Sequence, residues 1–254
     1  MSDFTTIHRA EAYLNIHLTH AGPAGAPPPI GPFITISRES GTGGSSFAQA
    51  LLARLSPPDT DYPWAVYSGN LIEEMLRTNN LPEHLARFLP EDRIREFDAS
   101  VGELVGLHPN LWDLVAKTND LIRHVARVGR AILLGRGANF ATGGIAHGLH
   151  VRLVAPVAFR AANTARRRAL TRDAAATHNA MRDAARRRYV RATFGADIAD
   201  FTAYTMVLNA ERLSLDTMVE MVAHLVDYEP GRRAREGVSA AGVPAAAEAG
   251  APSG

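Results

Sequence analysis

The sequence predicts an α/β fold built on a parallel, doubly wound sheet of five strands. Three observations carry that expectation. Five short β-like runs lie at Phe33–Ser37, Trp64–Tyr67, Ala131–Leu134, Val151–Val154 and Thr205–Leu208, and most are continuously apolar, as strands buried on both faces are. Helical periodicity fills the gaps between them. Strand and helix therefore alternate along the chain, and short right-handed crossovers then give a parallel sheet with helices on both faces.

Taken in order, residues 4–20 place Phe4, Ile7, Ala10, Tyr13, Leu14 and Leu18 on one side of a helix. The run Ala21 to Pro29, rich in Pro, Ala and Gly, cannot continue it. Residues 1–30 are thus an appendage and linker, and the helix offers a surface through which a homo-oligomer could form. The main domain is expected over 31–229, with helices at Ser46–Leu55, about Ala158–Leu170 and Ser214–Val226. Residues 82–128 exceed what a crossover needs and carry Leu104, Leu107, Leu111, Leu114, Leu121, Ile122 and Val125, so they read as a helical insertion. A second, arginine-rich insertion covers 165–195. The stretch 230–254 lacks apolar periodicity and is expected to be disordered.

Composition narrows the function. At 254 residues and 46% hydrophobic content the chain can bury one substantial core. There is no cysteine, which excludes disulfides, thiolate zinc sites and thiol catalysis. No run approaches the ~18 apolar residues of a membrane span, and no basic start followed by an apolar stretch marks a signal peptide, so a cytoplasmic protein without membrane attachment is expected. The formal charge is +1, so any electrostatic function must be local. It is local between Arg160 and Arg191, where ten arginines face only Asp173 and Asp183. Such a run is usually a solvated helix face, but here the remainder of the chain is net acidic and the positive charge is concentrated.

The turn after the first strand, Ser37-Arg38-Glu39-Ser40-Gly41-Thr42-Gly43-Gly44-Ser45-Ser46, carries the chemistry. A strand, a glycine turn and a helix start bring several backbone N–H groups and a positive helix end around one point, where an oxyanion belongs. Gly41, Gly43 and Gly44 allow φ > 0 and close approach, and Ser45 and Ser46 can cap the helix, bind a phosphate oxygen or reach Mg²⁺. A capped turn with nothing bound explains the same spacing. The full Gly-x-x-x-x-Gly-Lys-Ser/Thr pattern is absent: Arg38 stands at its first glycine and Gly44 at its lysine. Another cation must then supply the lysine's charge.

Ile34-Thr35-Ile36-Ser37-Arg38-Glu39-Ser40-Gly41-Thr42-Gly43-Gly44 resembles the opening motif of the cytidylate kinase-like family. Tyr67-Ser68-Gly69 is similar to the Asp-Ser-Gly of bacterial cytidylate kinases, and Leu134-Gly135-Arg136-Gly137-Ala138 to their Gly-Arg-Asp or the Gly-Arg-Gly-Ala of the kinase-like branch. Val151 to Arg160 resembles the fourth strand and the start of the lid helix, Asp183 to Tyr189 the lid motif Asp-x-x-Arg-x-x-Tyr, and Tyr204 to Ser214 the last strand and helix. The blocks keep the family's order across about 33–228.

The resemblance implies a three-layer P-loop kinase fold with a helical insertion that binds the nucleoside monophosphate and an arginine-rich lid. It implies ATP and Mg²⁺ as cofactors, nucleotide substrates as partners, and transfer of the γ-phosphoryl group to a pyrimidine nucleoside monophosphate, CMP or dCMP first. On that basis Gly41, Thr42, Gly43, Gly44, Ser45 and Ser46 hold the ATP phosphates, with Ser45 nearest the metal. Arg38, Ser68, Gly69, Arg136, Asp183 and Arg186 bind the acceptor, Asp183 through its sugar. Arg136, Arg186 and Arg182 supply catalytic charge. Gly137 replaces the base-reading aspartate of cytidylate kinases, so a kinase of another small metabolite and a non-catalytic nucleotide sensor stay open. Nucleic-acid binding by the arginine run is the weaker reading. His147, His150 and Lys117 are read as ordinary surface residues.

Overall fold

The computed structural model describes residues 31–56, 63–68 and 109–236. The expected N-terminal helix, Gly69 and the first part of the 82–128 insertion lie outside them. In chain order the elements are β1 (Phe33–Arg38), α1 (Gly44–Leu55), β2 (Ala65–Ser68), α2 (Pro109–Val128), β3 (Ala131–Leu134), α3 (Ala138–Ala141), β4 (Gly148–Val154), α4 (Val157–Arg168), α5 (Arg172–Phe194), a 3₁₀ turn (Phe201–Ala203), β5 (Met206–Asn209) and α6 (Leu215–Glu236).

All strand pairs are parallel and the sheet order is β2-β3-β1-β4-β5. The five strands fall within a residue or so of the expected runs, except that β4 begins three residues early, at Gly148. Glycine is needed there because a Cβ would sit 2.6 Å from the Phe33 ring. α6 runs through Pro230 to Glu236, past the point where the tail was expected to begin.

Strand residues alternate between two cores. Ile34, Ile36, Val66, Ile132, Leu134, Val151 and Leu153 face α1 and α6, where Phe47, Leu51, Met218 and Val222 close the layer. Phe33, Ala65, Tyr67, Ala131 and Leu133 face the other way, against Ile122, Val125 and Ala126 of α2 and Ala138 of α3. α2 buries Val115, Thr118, Asn119, Ile122, Val125 and Ala126, an i, i+3, i+4 stripe that explains why it lies along the sheet. A fully buried side chain such as Leu153 contributes ~1.5–3 kcal/mol by leaving water, and truncation to alanine costs more because a cavity remains.

Two features position the site. The chain leaves β1 at the centre of the sheet, with β3 on one side and β4 on the other, and such a switch in strand order opens a crevice at the carboxyl ends. α4 and α5 then form an antiparallel hairpin over that edge. Ala169 in the left-handed conformation (φ 54°) ends α4, and Thr171, whose Oγ1 accepts from the Ala174 N–H, caps α5.

Candidate functional site

α1 starts at Gly44, two residues before the expected Ser46, and its N-cap is Gly43 in the left-handed conformation (φ 86°). No side chain caps it, so Ser45 and Ser46 do not play the capping role open to them, and both are exposed. The first-turn amides of α1 are therefore left for something else to satisfy, and a Cβ on Gly43 would meet nothing within 4 Å. Gly41 has a different reason to be glycine. Its φ is 87°, and a Cβ there would lie 2.4 Å from the Arg160 carbonyl oxygen, so the requirement comes from α4 rather than from a phosphate.

Arg38 crosses the loop. A Cβ on Gly44 would lie 2.9 Å from Arg38 Cγ, so the position where a lysine would stand is covered by the stem of an arginine. The loop is also tied down from the lid hairpin. Asp183 on α5 accepts from the Ser40 N–H (2.8 Å) and from Arg186 Nη1 (3.0 Å) through Oδ1, and from Arg160 Nη1 (2.8 Å) through Oδ2. Arg186 Nη1 also donates to Ser40 Oγ at 2.8 Å. Arg160 Nε donates to the Ala155 carbonyl and lies 3.3 Å from Glu39 Oε2, which itself accepts from the Ala155 N–H. Asp183 was expected at the acceptor's sugar. The structure turns its carboxylate inward, where three donors hold it.

At the end of β3, Gly135, Arg136 and Gly137 have φ of 88°, 55° and 63°. An arginine in that region costs about 1–2 kcal/mol, and strain of this kind gathers at sites that use it. Arg136 is 6% exposed and lines a recess beneath α5. The aspartate position of the cytidylate kinase motif is closed by packing: a Cβ on Gly137 would meet the Phe194 ring at 2.4 Å, and Phe194 stacks on Phe140.

A cleft of about 570 Å³ runs over the loop. Gly41, Gly43, Gly44 and Ser45 line it together with Ser68 from β2, so the structure brings the loop and second-strand residues to one place. Among the described residues, Arg38, Arg167, Arg168, Arg182 and Arg186 share its wall with one carboxylate, Glu39, which is already engaged by Arg160. This is a site for a polyanion. A second space of about 300 Å³ lies across the loop, between Gly43, Ser46, Arg166 and Arg167. Thr42 does not face either one as a ligand: it is buried and its hydroxyl donates to the Glu39 carbonyl.

Three polar residues emerge that the sequence did not single out, and a fourth, His150, has other surroundings than expected. Asn179 on α5 is buried on the cleft wall; Thr164 Oγ1 donates to its Oδ1, while its Nδ2 has no partner. Asn139 is buried with an unpartnered Nδ2 on the wall of the recess. Arg152, 8% exposed, donates to Ser37 Oγ at 2.8 Å and lies over the Tyr204 ring. His150, expected at the surface, pairs with Thr35 Oγ1 at 2.9 Å and packs edge-on to Phe33, and burial lowers its pKa. None of the four follows from periodicity, because each is a polar residue set in or beside a strand or on a charged helix. Among the described residues no cluster of three metal-ligating side chains occurs and no helix is long and apolar enough to cross a membrane.

Known proteins place this arrangement. An uncharacterized protein from Eubacterium ventriosum superposes with a TM-score of 0.59 at 17% identity, covering 78% of this chain and 98% of that one. A shikimate kinase from Bacteroides thetaiotaomicron (TM-score 0.44, 14% identity, 77% and 98% covered) and a gluconokinase from Sinorhizobium meliloti (0.38, 13%, 80% and 98%) are more distant. No curated protein matches the chain. The model of the cytidylate kinase-like family matches residues 33–212, from β1 through the end of β5, and with that span the chain belongs to the cytidylate kinase-like family.

Proposed function

We propose that the protein transfers the γ-phosphoryl group of ATP to a small phosphorylated acceptor, with CMP or dCMP the first candidate. One observation carries this reading: the cleft that joins the uncapped start of α1 to five arginines and a single, already engaged carboxylate. The α1 amides from Gly44 onward receive phosphate oxygens, and Gly43 leaves the approach open. Ser45 is the helix-start side chain on the cleft wall that would give Mg²⁺ an oxygen; the ion would neutralise charge that develops between the phosphates.

In the reaction an acceptor oxygen bonds to the γ-phosphorus as the bond to the β–γ bridging oxygen breaks. The protein's part is to hold the two in line and to face the transferring group with positive charge. Arg38, lying over Gly44, stands where the absent lysine would act, and Arg182 and Arg186 close the cleft from α5. Arg136 reaches the acceptor side from the end of β3. Residues 165–195 act as the lid in this scheme.

ATP, Mg²⁺ and a panel of monophosphates should yield ADP, and Arg136→Ala should lower the rate by ~10²-fold, the usual cost of removing one charge-stabilising donor. Absence of turnover with every nucleotide and metabolite tried would leave a nucleotide sensor. Phe194 on Gly137 favours a second acceptor class, because the space that an aspartate would use to read a base is filled by a ring. A screen of small hydroxylated and phosphorylated metabolites with ADP readout separates the two.

A further inference from the structure

Arg136 stands between two glycines in a conformation that an arginine does not take by itself. Gly135, Arg136 and Gly137 follow one another with φ of 88°, 55° and 63°. Glycine tolerates both signs of φ, so a corner of this sequence is free to swing unless something outside it intervenes. Charge pushes the same way. Arg38, Arg136, Arg182 and Arg186 line one recess of about 50 Å³ with no carboxylate among its described wall residues, and like charges so placed drive one another towards water.

Each flanking glycine has its own restraint. The Gly135 N–H donates to the Ile36 carbonyl at 3.0 Å, which ties the near side of the corner to β1. The far side is tied by packing. The ring of Phe194, the last residue of α5, lies 2.4 Å from where a Cβ on Gly137 would stand and so fills the space into which Gly137 would turn. The ring is itself fixed: it stacks on Phe140 of α3 with centroids 5.8 Å apart, and Tyr189 meets it edge-on at 6.3 Å. Phe140 in turn meets Tyr204 edge-on. Tyr204 is anchored by its hydroxyl on the Ile198 carbonyl (2.9 Å) and by the Arg152 guanidinium over its ring (5.5 Å). α5 thus reaches the recess twice. Arg182 and Arg186 enter it from the middle of the helix, and Phe194, ~12 Å beyond Arg186 at about 1.5 Å per residue, presses on the corner that carries Arg136.

We propose that Phe194 is a positioning residue for Arg136: its ring holds the β3–α3 corner so that the guanidinium stays in the recess with Arg182 and Arg186 and receives the acceptor's anionic group. Phe194 acts through Arg136 and meets no ligand itself. The inference rests on the phosphotransferase reading for the identity of that anion, and it adds the residue that keeps the arginine in place.

A double-mutant cycle tests this. Calorimetric binding of CMP and of inorganic phosphate, without ATP, is measured on wild type, Phe194→Ala, Arg136→Ala and the double variant, each below its melting temperature. Phe194→Ala should weaken binding of both probes about 10-fold when Arg136 is present and less than about 2-fold when it is absent, because the effects of residues in one contact network do not add. A merely structural role would give the same loss in both backgrounds and would also lower the affinity for ATP, which should instead stay within about 2-fold of wild type. Should Phe194→Ala fail to fold, Phe194→Leu, which keeps apolar bulk without the flat ring, should show the same dependence on Arg136 at about 3-fold. Additive losses, a parallel loss of ATP affinity, or failure of both probes to bind wild type overturns the proposal. The two readings fail separately. Dependence on Arg136 without any ADP formation sinks only the phosphotransferase, and turnover with additive losses sinks only the role of Phe194.

Discussion

Replacing Asp183 by alanine should unfold this protein at markedly lower temperature before it does anything to substrate recognition. The carboxylate and its partners are nearly enclosed: side-chain exposure is 12% for Asp183, 10% for Arg160 and 15% for Arg186. Alanine leaves two guanidinium groups and the Ser40 N–H without their shared acceptor. Removing one partner of a buried ion pair costs 3–5 kcal/mol, and the residual exposure favours the low end, about 3 kcal/mol. For a domain of this size each kcal/mol moves the melting temperature by roughly 2–4 °C, so the expected loss is about 6–12 °C. Asp183→Asn keeps an oxygen for Ser40 but not the charge, and since charge-assisted hydrogen bonds are about twice as strong as neutral ones, roughly half that loss should remain. Thermal unfolding by circular dichroism measures both. If Asp183→Ala melts like wild type while the KM for the acceptor rises tenfold or more, the carboxylate belongs to the substrate and the reasoning is refuted.

Gly41→Ala and Gly43→Ala should part company although both residues have φ near +87°. Gly43→Ala costs only the backbone term, about 1–2 kcal/mol, and should weaken ATP binding because its Cβ stands where phosphate approaches; Gly41→Ala adds a 2.4 Å approach to the Arg160 carbonyl and should lose well over twice as much stability. Equal melting temperatures would refute that assignment. For His150, burial holds the folded pKa below 6.5, so the unfolded chain binds the proton first on acidification and stability falls as pH drops below about 6.5. Urea midpoints at pH 7.5 and 5.5 should show a smaller acid loss in His150→Gln than in wild type, and equal losses would count against it.

The apolar runs placed the strands because buried parallel strands must be apolar on both faces, and β3 matches its expected range residue for residue. The loop, Ser68 and Arg182 and Arg186 of α5 line one cleft, because the loop and Ser68 lie at the carboxyl ends of parallel strands. What did not show in sequence is orientation. Asp183 sits at the right spacing for a lid motif, but whether it faces sugar or loop depends on where α5 lies relative to Ser40, a contact across 143 residues. Gly41 reads as a phosphate glycine, and only the passage of α4 supplies its actual constraint. Asn139 and Arg152 carry no periodic signal at all, since a polar residue in a one-turn helix or within a strand is ordinary until its surroundings are known to be dry.

The knot at Asp183 also has a consequence for how the molecule breathes. Because one carboxylate joins the Ser40 amide to α5 and, through Arg160, to α4, the turn between β1 and α1 cannot open without releasing both helices. Amide protons of the loop and of the middle of α5 should then exchange with solvent in a single cooperative event, with a common opening free energy, whereas an isolated surface loop would exchange turn by turn. A phosphotransferase built this way would regulate access to its phosphates by the concerted loosening of a helical hairpin.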